Sequence, residues 1–247
     1  MTIQKVCTKC NEIKPLGEFY LQKHGKYGRK AVCKKCYYPA SKTAREKRQE
    51  LMNTVPNKLR ESEAELILRT FRYECALTGK YDDIGLDHFV PLNWGSIVKK
   101  YGIGGTTYAN MVPLHRSINS SKGAHNPFYW FERYGKRHNV AVVKWNAIVD
   151  YIATKHSMTT IDYINRVNAC YIEIVALNWI SRVNRRIYQE GSIHYVDIRN
   201  ALKLCLNMSV VIELFGSKMT KEVFKDSKTI SQINEVKEWM FKKGNRF

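Results

Sequence analysis

Four cysteines constrain this chain more than any other feature. They fall in two pairs, Cys7-Thr8-Lys9-Cys10 and Cys33-Lys34-Lys35-Cys36, with 22 residues between the pairs. A two-residue gap lets both thiolates of one knuckle reach a single tetrahedral ion, and a second knuckle closes the site with four sulfurs. Lys9, Lys34 and Lys35 sit inside the knuckles, where positive charge favours thiolate. The competing assignment is two disulfides, which a reducing compartment disfavours. The spacing therefore predicts a structural Zn2+ held by Cys7, Cys10, Cys33 and Cys36. Four protein ligands leave no open position, so this metal is expected to fold the segment rather than to do chemistry. Of the remaining cysteines, Cys170 and Cys205 lie in apolar runs and read as small buried residues.

Charge narrows the partner. Lys and Arg number 41 against 22 Asp and Glu, a net charge of +19 over 247 residues. An excess of this size points to a polyanion, most often nucleic acid. At 44% hydrophobic residues the chain is too apolar to be disordered. It contains no run of about 18 uncharged apolar residues, and its N-terminus has no apolar signal core. The expectation is a soluble, cytoplasmic protein with no membrane partner. The excess is uneven: residues 1–60 carry +11, residues 61–139 carry +2 and residues 140–247 carry +6. Acids retained in the middle of a polyanion-binding chain suit metal ligation, since a divalent cation lets a carboxylate approach phosphate.

These patterns divide the chain into a cysteine-rich module over 1–40, a basic helix and linker over 41–60, a mixed core over 61–139 and a helical region over 140–247. Within 41–60, Ser41 to Met52 reads as a helix with Ser41 as N-cap. Glu61 to Arg72 reads as a second helix, opened by acids that suit its N-terminus. Met111 to Leu114 reads as a short strand, and Pro127 to Tyr134 as a helix with proline in its first turn. Helical spacing of apolar residues recurs over Val140–Lys155, Ile161–Tyr188, Tyr195–Asn207 and Ile230–Lys243. The fold class is α+β.

The chemistry-bearing residues lie between 75 and 123. Asp87-His88 precedes Val90-Pro91-Leu92; Asn110 precedes Met111-Val112-Pro113-Leu114; Asn119 precedes Ser120-Ser121-Lys122-Gly123. Asp87 and Asn119 offer hard oxygen ligands of the kind Mg2+ takes. In a strand Asp87 and His88 point to opposite faces, so one can bind metal while the other acts as a base. Each residue alone would be an ordinary turn or loop residue; the ordered set is informative.

This set, over roughly Tyr73 to Tyr134, resembles the HNH nuclease family. The resemblance implies a ββα-metal core in which a strand pair is followed by a helix. It implies His88 as the general base, and Asp87 and Asn119 as ligands of a catalytic Mg2+ or Mn2+. Asn110 would fix the loop between the strands and orient His88 through a backbone contact. Many members carry a second zinc site in this core. Here the corresponding positions read Cys75-Ala-Leu-Thr78 and His115-Arg-Ser-Ile118, so packing by Leu77, Ile118, Phe128 and Trp130 is expected in its place.

The implied activity is metal-dependent hydrolysis of DNA, double-stranded for preference, in the manner of phage-borne and free-standing homing-type endonucleases in a host cytoplasm. Lys34, Lys35, Arg45, Arg48, Arg116 and Lys122 are candidate DNA contacts, and Arg182, Arg185 and Arg186 either line a further phosphate path or form one solvated face. A homodimer would allow double-strand cleavage. The alternative from another class is a zinc-stabilised DNA-binding regulator that does not cut.

Overall fold

The structure, a computed structural model, describes residues 3–242, without the side chains of residues 39–41. Its first part is two short antiparallel hairpins. Strands β1 (Gln4–Val6) and β2 (Ile13–Pro15) form one, β3 (Phe19–Leu21) and β4 (Arg29–Cys33) the other. The Lys5 ammonium ties them together, donating to the carbonyls of Lys26, Arg29 and Lys30 at 3.2, 2.9 and 2.9 Å. Among the described residues the buried interior here is Cys7, Phe19 and Cys33.

Helix α1 runs from Lys34 to Thr54 with Cys33 as its N-cap, seven residues earlier than Ser41, the start expected from sequence. Ser41 thus lies inside the helix, and its side chain falls outside the described residues. The early start puts Cys36 in the first turn, so the second knuckle and the basic helix are one rigid element. Helix α2 (Glu61–Thr70) follows, its first turn closed by a Glu63 carboxylate that accepts from the Arg60 backbone amide at 2.9 Å.

The central unit is a strand pair and a helix. Strand β5 (Ile84–His88) pairs antiparallel with β6 (Met111–His115), setting Asp87 opposite Val112 and His88 opposite Met111. Helix α3 (Arg116–Lys122) begins directly after β6 and packs back on both strands. The long connection between the strands is pinned by its glycines. Gly105 has φ +75°, and a Cβ there would meet the Pro56 carbonyl at 2.4 Å. Only glycine fits that approach. It allows Thr106 to bond Pro56, Lys58 and Leu59 through the backbone, at 2.8, 2.9 and 3.1 Å.

Helices α4 (Pro127–Tyr134), α5 (Val142–Lys155) and α6 (Thr160–Glu190) complete this body. Asn126 caps α4, accepting from the amide of Phe128 at 2.9 Å. One continuous apolar core joins Val55, Leu77, Phe89, Trp130, Trp145, Ile152 and Val167. Leu77, Ile118 and Trp130 are buried in it, with Phe128 packed alongside. The division expected at residue 140 does not coincide with a break in packing, because α5 and the first half of α6 fill this same core. The second half of α6 instead packs with α7 (Tyr195–Lys203), α8 (Met208–Phe215) and α10 (Ser227–Lys242) around Trp179, Ile187 and Ile198. Between the last two lies α9 (Lys218–Val223), tied to α6 through Asn184 and Thr220 at 2.7 Å. The expected helices end earlier than Asn207 and start earlier than Ile230; Lys243 lies outside the described residues. No described helix is long and apolar enough to cross a membrane.

Candidate active-site cleft and metal-binding cysteines

Cys7, Cys10, Cys33 and Cys36 converge, with all four sulfurs within 4.8 Å of one another. A tetrahedral zinc with Zn–S bonds of about 2.3 Å would set its sulfurs roughly 3.8 Å apart, so modest closure suffices. Cys7 Sγ accepts from the backbone amides of Cys33 at 3.3 Å and Lys9 at 3.4 Å. These amides, Cys33 first, pull the Cys7 thiol down to about 6, while the bond to Cys33 pushes Cys36 up to about 12. Four such sulfurs cannot all ionise together without a cation, which is the condition a thiolate-bound metal relieves. The four cysteines can therefore hold a metal ion such as zinc.

A second site opens at the end of the β5–β6 pair. It is a cleft of about 520 Å3 lined by Asp87, His88, Asn119 and Lys122 on one side and by Ala44, Lys47, Arg48 and Leu51 of α1 on the other. Asp87 and His88 come from the last two residues of β5, and Asn119 and Lys122 lie one turn apart on α3. The wall opposite belongs to the helix that starts at the second knuckle.

His88 is 6% exposed, and its Nε2 lies 2.9 Å from Thr106 Oγ1. Burial pushes the imidazole down to about 4, against the opposing pull of Asp87, with Arg48 and Lys122 adding to the downward push. The ring is thus neutral at pH 7.

Asn110 is fully buried, and its side chain hydrogen-bonds backbone rather than the imidazole. Its Oδ1 accepts from the Val90 amide at 2.8 Å, and its Nδ2 donates to the carbonyls of Val90 and Gly105 at 3.0 and 2.9 Å. Its own carbonyl accepts from Phe89 N at 2.8 Å. Asn110 therefore clamps the chain just after His88 onto the residue just before Thr106. The direct partner of the His88 ring is Thr106, which sequence reasoning missed; nothing in Gly104-Gly105-Thr106-Thr107 marks it apart from a glycine-rich loop.

Asp87 Oδ2 is buried and accepts no hydrogen bond of ordinary geometry, although the Lys122 ammonium lies 2.9 Å away. Lys122 is 2% exposed and donates to the His88 carbonyl at 2.8 Å. Expected as a surface contact for DNA, it faces the Asp87 carboxylate from within the protein instead.

Of the other basic residues singled out from sequence, Arg48 lines the cleft, and Lys47 beside it was not singled out. Lys34, Lys35, Arg45 and Arg116 are exposed and away from its lining. Lys34 sits 5.7 Å from the Tyr20 ring centre, and Arg116 lies 3.9 Å from Asp83. Arg186 is engaged by the buried Asp197, so it serves the packing of α7 on α6 rather than a free phosphate path; Arg182 and Arg185 remain exposed. Cys75 is buried in the core, and His115 caps α3 through Nδ1, which accepts from Ser117 N at 3.2 Å. Comparison with protein-family models, curated proteins and solved structures returned no match.

Proposed function

We propose that this protein is an HNH-type, metal-dependent endonuclease that hydrolyses phosphodiester bonds of duplex DNA. One observation carries the reading: Asp87, His88 and Asn119 line a single cleft beneath a basic helix. The residues fit a catalytic Mg2+ or Mn2+. Asp87 and Asn119 supply hard oxygens, and the buried Asp87 Oδ2 lacks an ordinary hydrogen-bond donor. When bound there, a divalent ion would stabilise charge on the leaving 3′ oxygen.

The chain's own residues supply the remaining steps. With Thr106 Oγ1 accepting from Nε2–H, the neutral His88 ring carries its lone pair at Nδ1. That nitrogen takes the proton from the attacking water. Asn110 fixes the backbone on either side of this pair. Lys47 and Arg48 bind phosphates flanking the scissile one, and a Zn2+ at Cys7, Cys10, Cys33 and Cys36 anchors the helix that carries them. One cleft cuts one strand, so double-strand cleavage takes two copies or two events. Lys34, Lys35, Arg45 and Arg116 contribute to a wider basic surface.

A second reading has one observation in its favour. The Lys122 ammonium already compensates Asp87, as it would in a zinc-stabilised DNA-binding regulator that never cuts. Supercoiled plasmid incubated with the protein and Mg2+, Mn2+ or EDTA separates the two. The endonuclease nicks only with the metal, and His88→Ala abolishes nicking. Intact plasmid in every condition, with tight and salt-sensitive binding, sinks the enzyme and favours the regulator.

A further inference from the structure

A lysine buried to 2% exposure is rare, because its charge must be compensated where water is excluded. Lys122 meets that demand with two partners, the Asp87 carboxylate at 2.9 Å and the His88 carbonyl at 2.8 Å. Among the described residues no other Lys or Arg lies within ion-pair distance of Asp87. Lys122 follows Asn119 by three residues on α3, so the two share a helix face. Both line the cleft with Asp87.

The ammonium therefore neutralises, from the buried side, the one carboxylate of the cleft that would ligate a divalent ion. Yet its approach to Asp87 Oδ2 lacks hydrogen-bond geometry, so that contact is electrostatic and not an oriented bond. Two cations cannot share one buried carboxylate at contact distance without strong repulsion. An ammonium on a flexible four-carbon stem can withdraw where a rigid fork could not. Helix α3 ends at Lys122, and Gly123 after it, with φ +46°, turns the chain away.

We propose that Lys122 is the resident cation of the Asp87 site, a built-in competitor that the divalent ion must displace. This rests on the nuclease reading and deepens it. The lysine keeps the metal-free cleft neutralised, and its withdrawal frees the ammonium for an incoming phosphate oxygen. Metal affinity is then set by the difference between two cations at one carboxylate.

The test uses the zinc-replete full chain without DNA, titrated with Mn2+ while free Mn2+ is read by electron paramagnetic resonance. Wild type, Lys122→Met and Asp87→Asn are compared. Displacement predicts that Lys122→Met binds at least about tenfold tighter than wild type, equivalent to about 1.4 kcal/mol, and that Asp87→Asn binds far more weakly. A folded Lys122→Met protein that binds Mn2+ no more tightly than wild type, with Asp87→Asn still weakened, overturns the competitor and leaves the nuclease reading standing. Equal binding by all three proteins overturns both. If Lys122→Met does not fold, the 15N-attached ammonium protons of Lys122 in the wild type decide. Their resonance should shift and lose protection from exchange on adding Mg2+; an unmoved resonance overturns the proposal.

Discussion

At the residue scale, the protonation of His88 gives the sharpest expectation. Burial holds its folded-state value near 4, below the ordinary 6.5. The folded protein thus binds fewer protons than the unfolded chain between those values. His88 then contributes stability fully above pH 6.5, and that contribution is lost as pH falls from 6.5 towards 4. The imidazole is also neutral throughout the physiological range. The single-turnover rate at saturating metal should show no His88 titration between pH 6 and 8; an acid limb centred at 6.5 would contradict the buried state. Thr106 is a positioning residue for the same ring. Thr106→Val should lower the cleavage rate about tenfold or more without changing DNA affinity, and Thr106→Ser should restore most of it. A parallel loss of rate and affinity in both variants would point to a collapsed loop instead. The sequence made Asp87, His88, Asn110 and Asn119 legible because they occur in order, each with its own short flanking segment. It could not show Thr106, which reaches His88 from 18 residues away through a loop defined by glycine geometry. Nor could it show that Lys122, between a serine and a glycine, is buried.

At the element scale, α1 matters most. Cys33 caps it and Cys36 lies in its first turn, while Ala44, Lys47, Arg48 and Leu51 wall the cleft. The second cysteine knuckle and the cleft are therefore coupled by one helix. Removing the metal with a chelator, or by Cys7→Ser/Cys10→Ser, should cost about one zinc per chain. The start of α1 should unwind, seen as reduced helical circular dichroism together with weaker DNA binding. Unchanged helicity after complete zinc loss would break that coupling. Sequence reads this helix from Ser41 as N-cap; the structure starts it at Lys34, with Cys33 in the cap position. The strand pair was legible in part. Residues 111–114 are a short apolar run, buried throughout, whereas Asp87-His88 reads as strand from sequence but the start of that strand at Ile84, before Gly85, emerges only through its pairing with β6.

At the scale of the whole molecule, the net charge of +19 meets a nearly neutral centre. The basic excess lies on the cysteine module, α1 and the C-terminal helices, around the segment that holds the cleft. DNA affinity should fall steeply with salt, and Arg48→Gln should reduce the slope of log K against log salt by about one; an unchanged slope would remove Arg48 from the DNA path. The C-terminal helices were legible one by one from their apolar spacing. Their grouping was not, since α6 contributes its first half to one core and its second half to another, and no local pattern marks that handover. The central question is whether His88 moves a proton during phosphodiester hydrolysis. The most direct measurement is the single-turnover nicking rate of wild type and His88→Ala at saturating DNA and Mg2+, with binding measured in parallel. A fall of about 10²–10⁴-fold at unchanged DNA affinity is the predicted result. Equal rates for the two proteins, or no metal-dependent nicking by wild type at all, would contradict it.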